Sequence, residues 1–165
     1  MKQAGFLEKF GSVYEHSSWV AEAVFELSAD MASADTDTST VVASFESVFM
    51  AASRDQQLAT LRAHPELACA VDQRDQLTLD SAAEQSDAGL DLCSEAEFAE
   101  FTRLNTAYSE KFGFPFIIAV KGRTRLKILN IFRMRLQNDA VLEFQTALFQ
   151  VCRIAQFRIE AILNG

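Results

Sequence analysis

Apolar residues recur at three- and four-residue intervals along most of this chain, the period of a helix with one buried face. In SEAEFAEFTRLNTAYSEKFG (94–113), Phe98, Phe101, Leu104, Asn105, Tyr108 and Phe112 fall on one side. Ser94 followed by Glu97 predicts a capping box at its start, and Gly113 predicts its stop. From Asp139 onward the same spacing runs through Val141, Phe144, Leu148, Val151, Ala155 and Ile162. SSWVAEAVFEL (17–27) predicts a shorter helix with Trp19 plugging the core. RTRLKILNIFRMRLQ (123–137) predicts another, apolar on a broad face and basic elsewhere.

Two stretches break the rhythm. SADMASADTDTST (28–40) is small, polar and acidic, a mobile connection or a solvated helix. FGFPFIIAVKG (112–122) resists a helical reading: its Gly and Pro, followed by β-branched residues, predict extended chain, a lone strand or a buried loop. Backbone groups in such a buried segment need partners, and a ligand is one source of them. The predicted architecture is all-α, a single-domain multi-helix bundle over residues 1–165 with one short extended segment near 114–120.

Composition narrows the function classes. The chain has 165 residues, 49% of them apolar and fourteen of them Phe, which suits one domain with a sizeable core and excludes general disorder. The formal charge of −8 argues against nucleic acid and against acidic lipid as partners. An anionic substrate would therefore need locally built positive charge. Cys69, Cys93 and Cys152 are odd in number, far apart and without C-x-x-C spacing. With only two histidines present, neither a zinc site nor a disulfide framework is expected, and no metal ligands are assigned. No run reaches membrane-spanning length, and the N-terminus lacks the apolar stretch of a secretory signal. Cytoplasm is the expected compartment.

Three places carry polar residues where chemistry could occur. Arg158 lies three residues after Ala155, seven after Val151 and four before Ile162, so its guanidinium points inward. A buried arginine needs an anion: either an internal carboxylate or a substrate group gripped by its planar fork. Ser81 and Glu84 match an S-x-x-E capping box, yet Gly89 stops that helix after barely two turns. So short an element is either simply capped or built to present its N-terminus to a pocket. His64 precedes Pro65, which biases it away from helical geometry and suits a helix entrance. It is either a packed side chain or a proton carrier titrating near neutrality. His16, in YEHSSW, reads as surface.

These stretches occur together in one family. RAHPELA, SAAEQSDAGLD, LNTAYSEKFGFPFIIAVKG, ILNIFRMRL and IAQFRI, in this order, resemble the OHCU decarboxylases, which act on 2-oxo-4-hydroxy-4-carboxy-5-ureidoimidazoline in urate degradation. The resemblance runs from FGSVYEHSSWVAE (10–22) onward. It implies an all-α enzyme that needs no cofactor, releases carbon dioxide, yields (S)-allantoin and forms a homodimer. Carried over by position, it makes His64 and Glu84 catalytic. Pro65, Ser81, Gln85 and Arg158 become substrate-binding residues. The main chain of Phe116, Ile117, Ile118, Ala119 and Val120 supplies further contacts to the anionic ureidoimidazoline. The competing readings are a non-enzymatic all-α protein-binding module and a ureido hydrolase or racemase that releases no carbon dioxide. A binding module has no reason to combine an inward arginine, a proline-braced histidine and a short capped helix.

Overall fold

The computed structural model describes residues 2–27, 37–67 and 77–164. Among these residues it contains eight α-helices and no strand, so the all-α expectation holds. The helices are α1 (Gln3–Phe10), α2 (Trp19–Leu27), α3 (Thr38–Ala51), α4 (Arg54–Ala63), α5 (Leu79–Asp87), α6 (Glu95–Phe112), α7 (Arg125–Arg135) and α8 (Ala140–Asn164). A single 3-10 turn, Leu90–Leu92, separates α5 from α6. The chain forms two compact units, one of Met1–Ala63 with Leu148–Gly165, the other of His64–Ala147.

The first unit is organised by aromatic rings. α1 packs on α2 and α2 on α3. Phe6, Phe10, Tyr14, Phe45 and Phe49 are buried between them, with the Phe6 and Phe10 centroids 4.8 Å apart and Tyr14 and Phe49 4.9 Å apart. Each such ring contributes roughly 1.5–3 kcal/mol by leaving water. Trp19 is not the plug predicted for it. It is half-buried, its ring 6.4 Å from Phe49, because phenylalanines of α1 and α3 already fill the centre. Of the acidic 28–40 stretch, only 37–40 is described; the rest lies outside the described residues. Asp37 caps α3 by accepting the Thr40 N–H at 3.1 Å. Hydrogen bonds from Ser39 and then Thr40 hold its carboxyl down to about 2. This cap is complete above the ordinary aspartate range and fades only as pH falls through that lowered value.

In the second unit α6 packs on α7. The predicted capping box is present: the Glu97 N–H donates to Ser94 Oγ at 3.2 Å, and the Ser94 N–H to Glu97 Oε2 at 2.9 Å. Gly113 ends α6 at φ 78°, left-handed backbone that favours glycine. Ser94→Ala should lower unfolding stability by about 1 kcal/mol, read as a lower urea midpoint at unchanged denaturant slope. Phe101, Leu104, Asn105 and Tyr108 face inward as predicted, but Phe98 is 37% exposed, and on α8 Val141 is 69% exposed. Both lie in the first turn of their helix, before its buried stripe begins.

Two further expectations change here. The second predicted capping box, Ser81 with Glu84, does not form. Thr78 caps α5 instead, accepting the Ser81 N–H at 3.3 Å, so the helix begins earlier and Ser81 lies within its first turn. Threonine is nearly as good a cap as serine, and starting there also places Asp80 in the first turn, where the helix dipole favours it. On α7 the buried face is narrower than predicted. Ile128, Leu129 and Phe132 are inside, Leu126 and Met134 are outside, and the basic Arg135 is buried. Residues 115–120 belong to no helix or strand, which is the buried-loop form of the extended segment.

Candidate functional site

His64 immediately follows the last residue of α4 and is 8% exposed. It does not head a helix through Leu67; 68–76 lie outside the described residues. Pro65 acts in the opposite direction from the one predicted. By disfavouring helical backbone at the residue before it, it terminates α4 at Ala63.

The loop after His64 is tied down from two helices. Gln85 Nε2 on α5 donates to the Glu66 carbonyl at 3.1 Å, and Asn105 Nδ2 on α6 donates to the Leu67 carbonyl at 2.9 Å. Two successive carbonyls thus have side-chain amides as partners, and the loop carrying the imidazole is braced. The resemblance makes Gln85 a substrate contact, and its amide nitrogen also joins α5 to the histidine segment. Ser81 and Gln85 lie one helical turn apart and are both buried, while Glu84 on the adjoining face is half-buried.

The Phe116–Val120 segment is buried throughout, each residue between 1% and 6% exposed. Side chains hold its main chain. Arg135 Nη1 donates to the Ile117 carbonyl at 2.6 Å, and Arg123 Nε donates to the Ala119 carbonyl at 2.9 Å. Arg135 also makes a two-nitrogen contact with Glu143 Oε1, Nε at 2.8 Å and Nη2 at 2.6 Å. The Tyr108 hydroxyl donates to the same oxygen, and Asn138 Nδ2 reaches Glu143 Oε2 at 2.7 Å. Burial, and then the hydrogen bond to Glu143, push the Tyr108 hydroxyl well above its ordinary range, so it remains a donor. The Arg135 guanidinium lies 4.5 Å from the centroid of Phe116, which stacks on Phe132 at 3.8 Å.

None of this Arg135–Glu143–Tyr108 network is among the predicted site residues. A signal for it exists in the sequence. Arg135 follows Phe132 by three and Ile128 by seven, and Glu143 precedes Ala147 by four. The spacing that turns Arg158 inward on α8 applies equally to Arg135 on α7.

Within the first unit Arg158 is buried, as its spacing predicts, at 7% exposure. Its Nη1 lies 2.9 Å from Glu15 Oε2 and 3.4 Å from the Val13 carbonyl. Glu15 is itself 2% exposed. Ser17 Oγ donates to the Glu15 carbonyl at 3.0 Å and lies 3.0 Å from the Thr60 hydroxyl. An internal carboxylate partner is one of the two readings for this arginine, and Glu15 is that carboxylate. His16 is exposed, at φ 46°. Burial, chiefly, pushes the Cys152 thiol up to about 11, and Cys93 is a free, half-buried thiol; Cys69 lies outside the described residues. Among the described residues no three His, Cys, Asp or Glu side chains are placed to share a metal, and no helix is long and apolar enough to cross a membrane.

A family model described as OHCU decarboxylase matches residues 1–160. The 2-oxo-4-hydroxy-4-carboxy-5-ureidoimidazoline decarboxylase of Haloferax volcanii is 40% identical over 154 residues, 93% of this chain and 86% of that protein. The uric acid degradation bifunctional protein PucL of Bacillus subtilis is 37% identical over 157 residues. The match takes in 95% of this chain but only 30% of PucL, so this chain spans less than a third of that relative. Among solved structures, an (S)-allantoin synthase superposes with a TM-score of 0.77 at 32% identity, over 98% of this chain and 51% of that one.

Proposed function

Because this chain belongs to the OHCU decarboxylase family, we propose that it removes the carboxylate of 2-oxo-4-hydroxy-4-carboxy-5-ureidoimidazoline and yields (S)-allantoin in urate degradation. It is a carbon–carbon lyase that works without a cofactor, and residues 1–165 act as one functional domain. The observation that carries the mechanism is the braced histidine: a buried imidazole on a loop whose next carbonyls are held by Gln85 and Asn105. Such fixing is what a positioned proton carrier requires. A protein-binding module has no use for it.

The reaction asks little beyond proton handling and placement. The bond to the carboxylate breaks, carbon dioxide leaves, and the electron pair enters the substrate's own C=N unit. The ring nitrogen of that unit takes a proton, and the hydroxyl carbon becomes the ring carbonyl as its hydroxyl proton leaves. A proton adds on one face to the ureido-bearing carbon of the former C=N unit, which sets the S configuration. His64 and Glu84 manage the hydroxyl proton as carbon dioxide departs. Ser81, Pro65, Gln85 and the Phe116–Val120 main chain hold the ring and ureido groups, and Arg158 binds an anionic oxygen. Local cations matter here, because the chain's net charge of −8 disfavours an anionic ligand. The enzyme works as a cytoplasmic homodimer, with no nucleic-acid or membrane partner.

The test adds the protein to the mixed products of urate oxidation and hydroxyisourate hydrolysis and follows circular dichroism. Optically active allantoin should form faster than the spontaneous reaction. A racemic product at the spontaneous rate would overturn the assignment, and chirality without release of carbon dioxide would favour the racemase or hydrolase reading.

A further inference from the structure

We propose that Arg135, locked to Glu143, is a positioning residue. By taking the Ile117 carbonyl, it turns the Ile118 N–H toward an oxygen acceptor of the substrate. The inference rests on the reading that this main chain contacts substrate, and it adds the residue that aims it.

The geometry is set by the peptide bond. Among the described residues there is no cis peptide, so the Ile117 C=O and the Ile118 N–H lie in one plane and point in opposite directions. Arg135 Nη1 fixes that carbonyl at 2.6 Å, so the Ile118 N–H is directed away from the arginine. Arg123 does the same two residues on: its Nε holds the Ala119 carbonyl at 2.9 Å and leaves the Val120 N–H pointing away. Ile118 and Val120 are only 4% and 6% exposed, and neither amide donates to a described residue. Buried amides without partners are rare and costly. Two of them on one short segment, both aimed by arginines on the opposite edge of their peptides, make a donor pair that a carbonyl or carboxylate oxygen would satisfy.

Arg135 is suited to this as no other residue would be. Two of its nitrogens meet Glu143 and the third meets Ile117, while its plane covers the Phe116 ring. Glu143 is fixed in turn by Tyr108 and Asn138. Stability alone does not account for such a pair, since a buried ion pair is often no better than the apolar residues that could replace it. Its distinctive product is a carbonyl held in one direction.

Arg135→Lys keeps a cation beside Glu143 but cannot reach that carboxylate and Ile117 together. KM should rise at least tenfold, with kcat changed no more than threefold, because an interaction formed on binding is lost. Tyr108→Phe removes a support of Glu143 without touching the Ile117 contact. It should lower the melting temperature and leave KM within twofold. Should Arg135→Lys fail to fold, Glu143→Gln, which loosens the arginine, should raise KM at least threefold.

A second readout does not depend on turnover. In amide NMR spectra, (S)-allantoin should shift the Ile118 resonance of the wild-type protein and not that of Arg135→Lys. Arg135→Lys and Glu143→Gln variants that lower the melting temperature but leave KM unmoved, or an Ile118 resonance that responds equally in both proteins or in neither, would overturn the proposal. A wild-type protein that shows the amide response without turnover would instead remove the decarboxylase reading and leave the positioning role standing.

Discussion

His64→Asn should fold normally and lose catalysis. Asparagine is close in shape to the near half of an imidazole and offers similar hydrogen bonds, but it carries no proton near neutral pH. The loop around it has independent supports. Pro65 ends α4, Gln85 holds the Glu66 carbonyl and Asn105 holds the Leu67 carbonyl, and none of these involves the imidazole. Thermal unfolding should therefore shift by only a few degrees. Turnover of freshly generated substrate should fall by about 10²–10⁴, the usual worth of a positioned acid–base group. Initial rates of circular-dichroism change measure it. Activity above a tenth of wild type would remove His64 from the mechanism and leave a histidine that merely packs.

The elements are legible in the sequence to different degrees, for physical reasons. Helix α6 is readable at both ends because its signals are local: a serine and a glutamate three apart, then a glycine whose left-handed backbone stops the helix. The start of α5 is not, because Thr78 and Ser81 are both good caps, and local chemistry alone does not rank them. At Pro65 the rule holds and its direction is reversed, since a proline that could open one helix here closes the one before it.

The inward turn of Arg158 is legible from periodicity, and its partner is not. Glu15 is 143 residues away, and no pattern within a helix points that far. The same limit hides the joining of Arg135 to the Ile117 carbonyl. Spacing on α7 and α8 turns both Arg135 and Glu143 inward, but their meeting depends on how the elements of that unit fold back. The extended segment is legible as an anomaly, and its demand for backbone partners is a sound physical question. Part of the answer is two arginine side chains.

Arg158 carries the second large effect, and two substitutions separate its two roles. Arg158 and Glu15 are 7% and 2% exposed, so removing the cation takes from a buried carboxylate the ion pair it makes at 2.9 Å. Arg158→Met should therefore lower unfolding stability by about 3–5 kcal/mol, measured by urea denaturation. Arg158→Lys retains a charge beside Glu15 and should recover much of that loss. It does not retain the planar fork, whose Nη1 faces Glu15 Oε2 at 2.9 Å and whose geometry suits a carboxylate or ureido oxygen. If Arg158 binds substrate, the lysine variant should be nearly as stable as wild type and yet show a KM raised at least tenfold. A KM unchanged in Arg158→Lys, with stability lost only in Arg158→Met, would make this arginine the partner of Glu15 and nothing more. The anion-binding role would then have to pass to another cation, which in a chain of net charge −8 must be one whose position is equally well enforced.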